Sequence, residues 1–177
     1  MTNAEFEILY KKYKNRVYNT ALSYLQQAED AEEVAQDVFV EVFRSQQTFR
    51  QEADIGTWIY RIAINKSLDF LRHKTRQKRF AFLTNLFHQE TDEIIHDPPD
   101  FQHPGVLLEQ KENATYLFKA LNELPETQKT AFILTQIEDL SYAETAKVMD
   151  VTVASVEALL HRGKQSLRKK LEKYYRS

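Results

Sequence analysis

The chain has 177 residues, of which 42% are hydrophobic and 28% are charged, a composition typical of a folded protein and not of a disordered one. It has no cysteine, which excludes disulfides and cysteine-ligated zinc, and its three glycines and four prolines favour helices with short connections over strands joined by tight turns. No stretch approaches the ~20 apolar residues of a membrane span and the first residues do not resemble a signal peptide, so we expect a cytoplasmic protein.

The formal net charge is −2, but the charge is distributed unevenly along the chain. Residues 60–80 hold seven basic residues and one acidic residue, and residues 162–176 hold the same numbers of each. Residues 29–41 hold six acidic residues and no basic one. Two basic segments and one acidic segment predict two surfaces for anions and one for a basic partner. The alternative is that these are the ordinary charged surfaces of soluble helices.

The first half of the chain predicts three helices. Apolar residues recur at helical spacing from Phe6 to Leu25 and again from Ala31 to Val42. A polar segment with one glycine then predicts a loop, and a third helix is expected from about Thr57 to Arg76.

The stretch from about residue 88 to 105 contains three prolines, a glycine and five acidic residues, which is typical of a mobile linker. We therefore predict a first domain over residues 1–84, a flexible linker over 85–112 and a second domain over 113–177, with helices resuming near Val106. His96, Asp97, Asp100 and His103 resemble a metal cluster only superficially, because no helix fixes them. We expect no metal and no cofactor.

The second half predicts a helix-turn-helix. Pro125 suits the first position of a helix that runs to about Glu138. Ser141 and Glu144 form a capping box that opens a short helix ending near Met149. Asp150-Val151-Thr152 is a tight turn, and Thr152 is placed to cap the next helix. Ala146 permits close approach of the two helices, and Val151 and Val156 are expected to be apolar wedges between them. The alternative is an ordinary helical hairpin.

From these residues, both halves resemble one known family. "LPETQKTAFILTQIEDLSYAETAKVMDVTVASVEALLHRGKQSLRKKL" is similar to region 4 of the extracytoplasmic-function sigma factors of bacterial RNA polymerase. "DAEEVAQDVFVEVFRS" resembles their region 2.2, and "TFRQEADIGTWIYRIAINKSLDFLRHKTR" resembles their regions 2.3 and 2.4. The resemblance implies an all-α fold with a region 2 bundle and a region 4 helix-turn-helix joined by the linker.

The resemblance also implies the surfaces of the region 2 domain. The region 2.2 helix would bind the clamp helices of the largest subunit of core RNA polymerase, with Phe39 as an apolar anchor. The residues expected on that surface are Asp30, Glu33, Val34, Gln36, Asp37, Phe39 and Glu41. Regions 2.3 and 2.4 would melt and read the minus-ten element, drawing an unpaired base into a pocket formed by residues 49–54. The residues expected to contact that DNA are Phe49, Arg50, Gln51, Asp54, Trp58, Arg61, Asn65, Lys66, Arg72 and Arg76.

Region 4 would place its second helix in the major groove of the minus-thirty-five element, within a helix-turn-helix from Tyr142 to Arg162. The residues expected to face that DNA are Thr152, Ser155, Glu157, Ala158, His161, Arg162, Gln165 and Arg168. The chain departs from the family here. Family members commonly carry Lys-Ser-Arg where this chain has Glu157, Ala158 and Leu159, and an alanine where it has Gly163. The family's minus-thirty-five preference is therefore not transferred to this chain.

The resemblance implies an alternative sigma factor that binds core RNA polymerase and directs promoter-specific initiation. Its expected partners are core polymerase, promoter DNA and an anti-sigma factor, with no small-molecule substrate. No pairing of nucleophile and base and no glycine-rich phosphate loop is present, so we do not expect an enzyme. Two alternatives stay open: a transcriptional regulator with an N-terminal sensor, and a helical adaptor that has lost DNA binding.

Overall fold

The computed structural model describes residues 2–45, 54–88 and 111–175, with side chains described within 2–45, 54–77 and 114–172. All regular elements in these ranges are helical, as predicted. In chain order they are α1 (Asn3–Leu25), α2 (Ala28–Ser45), α3 (Ile55–His88), α4 (Lys111–Asn122), α5 (Glu126–Phe132), α6 (Tyr142–Met149) and α7 (Val153–Tyr175), with a π-helical turn at Ile133–Ile137 after α5. Helices α1–α3 form a first domain and α4–α7 a second. None of these helices is both long and apolar enough to span a bilayer.

The first domain is a three-helix bundle. Thr2 and Glu5 form a capping box that starts α1, and Gln26 ends it in the left-handed conformation, with its N–H donating to the carbonyl of Leu22 at 2.8 Å. Glu29 and Asp30 in the first turn of α2 complement the positive end of that helix's dipole. Apolar residues at helical spacing fill the core between the three helices: Leu9, Tyr13, Val17, Ala21, Val34, Val38, Val42, Ile59 and Ala63.

Asp54 starts α3 as an N-cap. Its Oδ2 accepts from the backbone N–H groups of Gly56 at 2.9 Å and Thr57 at 3.3 Å. A Cβ at position 56 would lie 2.8 Å from that oxygen and 3.1 Å from the Tyr13 hydroxyl, so the close approach requires glycine. The helix continues past Arg76, where we expected its end, to His88. No proline or glycine interrupts residues 57–88, which permits the extension.

The predicted linker lies mostly outside the described residues, and so do residues 46–53 of the predicted loop. The end of that predicted loop, Ile55 and Gly56, belongs to α3 instead. Helix α3 includes 85–88 and α4 includes 111–112, so the described helices overlap both ends of the predicted linker. The domain boundaries stay a prediction.

The second domain contains the predicted helix-turn-helix, formed by α6 and α7. The Ser141–Glu144 capping box is present, and Thr152 Oγ1 accepts from the N–H of Ser155 at 3.2 Å. Pro125 precedes the first helical residue of α5 instead of occupying it, and the α-helix ends at Phe132, before the π-helical turn.

Only one of the two valines predicted to lie between α6 and α7 does so. Val156 is fully buried with Ala146 and Leu160, but Val151 is 39% exposed, so that assignment was wrong. Asp150 takes the left-handed conformation and the N–H of Val151 returns to the carbonyl of Ala146 at 3.0 Å. The backbone thus closes the turn and leaves the Val151 side chain in solvent.

The two domains pack directly against one another. The buried cluster of the first domain continues through Ile133, Leu134 and Val148 of the second. Helix α3 lies against α6, and α1 lies against the π-helical turn.

Candidate polymerase and nucleic-acid interfaces

Helix α2, predicted to bind polymerase, divides its residues between the core and solvent. Val34 and Phe39 are 2% and 6% exposed, and the Phe39 ring packs edge-on against Tyr10 with centroids 4.7 Å apart. The expectation that Phe39 is an apolar anchor and Val34 a surface contact is therefore corrected: both stabilise the α1–α2 hairpin. Glu33, Gln36 and Asp37 are exposed, as that surface requires.

The acidic stripe of α2 is partly neutralised at both ends by lysines of α3. Asp30 accepts from Lys74 Nζ at 2.5 Å, and Glu41 lies 3.5 Å from Lys66 Nζ. The sequence of α2 alone shows no base among these acids, because both partners come from another helix. The unneutralised acidic centre of the stripe therefore lies around Glu33 and Asp37.

Two exposed apolar residues on α2 were not predicted from the sequence. Val40 and Phe43 are 46% and 45% exposed, and Phe43 packs edge-on against Phe6 with centroids 5.2 Å apart. Val34, Val38 and Val42 form the side of the helix that fills the core, and Val40 and Phe43 lie off that side. Their positions relative to these valines would have identified them as exposed apolar residues. Together with the acidic centre they form a mixed acidic and apolar surface.

The predicted minus-ten surface is only partly described. Phe49, Arg50 and Gln51 lie outside the described residues, and Asp54 is exposed but serves as the cap of α3. Trp58 is half-buried and packs against the first-domain core. Asn65 and Arg76 are exposed on α3, and Asn65 lines a pocket between α3 and the second domain together with Glu126 and Met149.

Arg61 and Arg72, two of the predicted DNA contacts, bind the second domain. The Arg61 guanidinium donates to the carbonyls of Val148 at 3.0 Å and Lys147 at 2.5 Å, and lies 3.6 Å from the Asp150 carboxylate. Arg72 donates to Glu126 at 2.7 Å, and to Asp69 in its own helix at 3.1 Å. No motif or periodicity predicts these contacts, which join residues far apart in the chain.

Most of the predicted reading residues on α7 face solvent. Ser155 is the exception: it is half-buried and its hydroxyl lies 2.8 Å from that of Thr152. Arg162 donates to the carbonyl of Ala158 at 3.2 Å within its own helix. The exposed members are Thr152, Glu157, Ala158, His161, Arg162, Gln165 and Arg168. The described side chains contain no group of three or more His, Asp or Glu side chains placed to hold a metal ion.

Both domains match known families. Residues 9–77 match sigma-70 region 2, and residues 115–167 match sigma-70 region 4. The chain is 29% identical to the RNA polymerase sigma-H factor of Pseudomonas aeruginosa, over 94% of this chain and 86% of that protein. It is 31% identical to the ECF RNA polymerase sigma factor SigE of Mycolicibacterium smegmatis, over 94% of this chain and 61% of that protein. The chain belongs to the extracytoplasmic-function sigma factors.

The arrangement of helices in this sigma factor recurs in solved structures. It matches the sigma factor RpoE of Bartonella quintana, solved with the anti-sigma factor NepR, with a TM-score of 0.62 at 18% identity over 95% of this chain and 97% of that one. It matches CnrH, solved with the cytosolic domain of CnrY, with a TM-score of 0.66 at 20% identity over 97% and 90% of the two chains. This sigma factor therefore has the fold of its family, and it functions in promoter-specific transcription initiation with RNA polymerase.

Two ionisable residues of the sigma factor lie where the domains meet: Lys129 is buried and Glu138 is half-buried. Burial raises the pKa of Glu138 to about 7, and nearby Thr20, Arg16 and Tyr60 oppose that rise only in part. Burial lowers the pKa of Lys129 to about 8, with nearby Glu126 opposing.

Lys129 is held by atoms of both domains. Its Nζ donates to the carbonyl of Tyr24 at 3.1 Å and to Asn122 Oδ1 at 2.6 Å, and lies 5.1 Å from the centre of the Tyr24 ring. No motif in the sequence marked Lys129 or Glu138 as a buried charge.

Proposed function

We propose that this sigma factor divides promoter recognition between its two domains. Helix α2 docks on the clamp helices of the largest polymerase subunit, α3 and the loop before it open and read the minus-ten element, and α6–α7 read the minus-thirty-five element. The observation that carries the proposal is the pair of family matches, which cover the two domains in the family's order.

The polymerase-binding surface is supported by the charge and exposure of α2. Glu33 and Asp37 are exposed and unneutralised in the described contacts, and Val40 and Phe43 add apolar area beside them. Apolar contact at the centre with charged residues around it is the usual composition of a specific protein interface. Charge complementarity then selects a basic partner surface and speeds association.

The minus-ten role is supported by the basic side of α3. Asn65 and Arg76 are exposed, and Arg61, Lys66 and Arg72 lie along the same helix. A positively charged path with an aromatic residue at its start, here Trp58, suits a single strand. Drawing a base from the stack costs a few kcal/mol, which contacts to the flipped base and the backbone offset.

The remaining assignments follow from the family. The two related structures hold sigma factors with anti-sigma partners, which supports an anti-sigma factor for this chain as well. The domain limits 1–84, 85–112 and 113–177, a cytoplasmic location and action by binding without catalysis are parts of the same proposal. A regulator with a sensor domain does not account for the region 2 match, and an adaptor without DNA binding does not direct transcription.

The test is transcription by core polymerase from a promoter selected by the protein from a random library. Full-chain protein is expected to support run-off synthesis, and Asn65→Ala to reduce opening of the minus-ten element because its amide lies on the exposed side of α3. Permanganate reactivity of thymines measures the opening. Gln136→Ala, at an exposed position of the second domain, is the control. Normal opening by Asn65→Ala would remove Asn65 from the minus-ten surface, and no transcription by the wild type would contradict the function itself.

A further inference from the structure

The amino-terminal end of α7, the second helix of the helix-turn-helix, presents apolar side chains to solvent. Val153, its first residue, is 43% exposed, and Ala154 and Ala158 are exposed as well. Ala154 and Ala158 are four residues apart, so they lie on one face of the helix. Exposed apolar residues are ordinary when they are scattered singly, but these three stand together at the end of the helix that usually contacts base edges.

The polar side chains of the same segment are committed to local contacts. Thr152 Oγ1 accepts from the N–H of Ser155 at 3.2 Å, and the two hydroxyl oxygens lie 2.8 Å apart. Ser155 is also half-buried. These hydroxyls cap the helix and are held in that geometry. The exposed side chains that remain between Val153 and Ala158 are three apolar ones and one carboxylate, that of Glu157.

The side chains that commonly read purines are missing from this end of α7. Arginine and lysine are the usual partners of guanine, and asparagine and glutamine those of adenine. Residues 153–161 contain none of these four types. The first arginine of α7, Arg162, donates to the carbonyl of Ala158 at 3.2 Å within its own helix. The first two turns of α7 are therefore suited to a base that is recognised without a hydrogen-bond donor from the protein.

We propose that Val153, Ala154 and Ala158 recognise thymine in the minus-thirty-five element through its C5-methyl group. We call these three residues the methyl-reading surface. The thymine methyl is an apolar group in the major groove, and apolar contact, with alanine among its usual partners, distinguishes it from the other bases. The proposal rests on the minus-thirty-five role proposed for α6–α7, and it names the base that this end of α7 selects.

The methyl-reading surface is continuous with the rest of the exposed side of α7. Ala154 and Ala158 are followed on that side by His161 and Gln165, which are exposed too. With 3.6 residues per turn, positions 154, 158, 161 and 165 lie along one line of the helix. Val156, on the other side, is fully buried in the second domain. The apolar end can thus contact a thymine while the later residues reach adjoining bases and phosphates.

The size of the expected effect follows from the methyl group itself. Burying one such group contributes ~0.8 kcal/mol, which corresponds to a roughly fourfold change in affinity. Uracil lacks the C5-methyl group of thymine and keeps its hydrogen-bonding groups. Replacing thymidine by deoxyuridine therefore removes the proposed contact and leaves the base pair in place.

The experiment uses holoenzyme assembled from core polymerase and the full chain, on the promoter that the chain selects from a random library. Each thymidine of the minus-thirty-five element, on either strand, is replaced in turn by deoxyuridine, and the affinity is measured by competition with the unmodified promoter. We expect the wild type to bind roughly fourfold more weakly at one or two of these positions. No loss at any thymidine would overturn the proposal, as would a selected element without an A·T pair.

Val153→Ala tests whether the loss arises at the methyl-reading surface. We expect this variant to bind the thymidine promoter more weakly and to lose the difference between thymidine and deoxyuridine at a sensitive position. Val151→Ala is the matched control, because Val151 is 39% exposed in the turn before α7. It should keep the full wild-type difference. A difference that persists in V153A reports DNA shape instead of contact and contradicts the proposal, and so does a difference that V151A abolishes.

A scrambled minus-thirty-five element separates this inference from the function on which it rests. If scrambling leaves the affinity of the wild-type holoenzyme unchanged, α6–α7 do not read that element, and both proposals fail. If scrambling weakens binding and deoxyuridine does not, the role of the helix-turn-helix stands and methyl recognition alone is refuted. The deoxyuridine series is carried out on the wild type, so this decision does not depend on the folding of any variant.

Discussion

Gly163 is a buried glycine within α7 that the backbone does not require. Its φ is not positive, and a Cβ there would meet Gln128 at 3.7 Å and Leu124 at 3.9 Å, which is ordinary van der Waals contact. Glycine inside a helix is less favourable than alanine by about 0.5–1 kcal/mol. We expect Gly163→Ala to stabilise the second domain by about that amount, measured as a higher urea midpoint. Gly56→Ala, where a Cβ would lie 2.8 Å from Asp54, should instead destabilise the chain.

Glu157 is the residue of α7 that most distinguishes this chain from the family pattern. It is exposed near the start of the recognition helix, where a carboxylate can accept from cytosine N4 but repels phosphate. We expect Glu157→Lys to change the preferred minus-thirty-five sequence by roughly 1–3 kcal/mol at one or two base pairs. Arg168→Ala, about three turns later, should weaken binding similarly on all sequences. Holoenzyme titrations against a library of minus-thirty-five sequences separate the two. An unchanged preference for Glu157→Lys would exclude Glu157 from base reading.

Residue-scale predictions from sequence succeeded where the interaction was local. The Ser141–Glu144 capping box and the Thr152 cap need only three residues of spacing, and both are present. The prediction for Val151 was wrong because the backbone of its own turn bonds to Ala146 and leaves the side chain exposed. The contact of Asp30 with Lys74 joins two helices, and no local pattern in the sequence identifies it.

At the scale of elements, α2 presents an acidic surface. The residues at its centre, Glu33 and Asp37, form no ion pair in the described contacts. Charge reversal at Glu33 and Asp37 should weaken binding to core polymerase roughly tenfold, since complementary charge governs association. Both side chains are exposed, so the urea midpoint should change little. E7K/E172K, with the same charge change at exposed sites on α1 and α7, is the control. Undiminished binding by E33K/D37K would move the polymerase surface away from α2.

Helix boundaries were predictable only where a stop signal exists. The turn at Asp150 marks the end of α6, but residues 57–88 contain no helix breaker, so the end expected at Arg76 had no physical basis. The π-helical turn after α5 was not predictable either. It carries Ile133 and Leu134 into the cluster shared with the first domain, and tertiary packing decides such a local change.

At the scale of the whole molecule, sequence predicted two domains and not their contact. The contact joins residues such as Arg61 with Val148 and Arg72 with Glu126, which no periodicity or motif relates. The same basic residues that indicated DNA binding are, in the free chain, ligands of the second domain. A basic segment thus predicts a need for negative partners without deciding which partner is present.

Half-buried Glu138 and buried Lys129 make the stability of the contact between the two domains depend on pH. The pKa of Glu138 is raised from 4.5 to about 7, so its contribution is full below pH 4.5 and is lost as pH rises to about 7. The pKa of Lys129 is lowered from 10.5 to about 8, so its contribution is full above pH 10.5 and is lost as pH falls to about 8. Other groups face these two from every neighbouring helix. They are Arg16, Thr20 and Tyr24 on α1, Asp54 and Tyr60 at α3, and Asn122, Glu126, Asp139 and Glu144 in the second domain.

Comparison with neutral variants isolates the two groups from the rest of the titration. The urea midpoint of the wild type minus that of Glu138→Gln should fall between pH 4.5 and 7 and then level off, because only the wild type must ionise a buried carboxyl. The corresponding difference for Lys129→Met should be level up to about pH 8 and rise towards pH 10.5. The combined contribution of Glu138 and Lys129 to stability should therefore be smallest between about pH 7 and 8, where both are charged. Differences that do not vary with pH would mean that neither group changes its protonation at the junction between the domains.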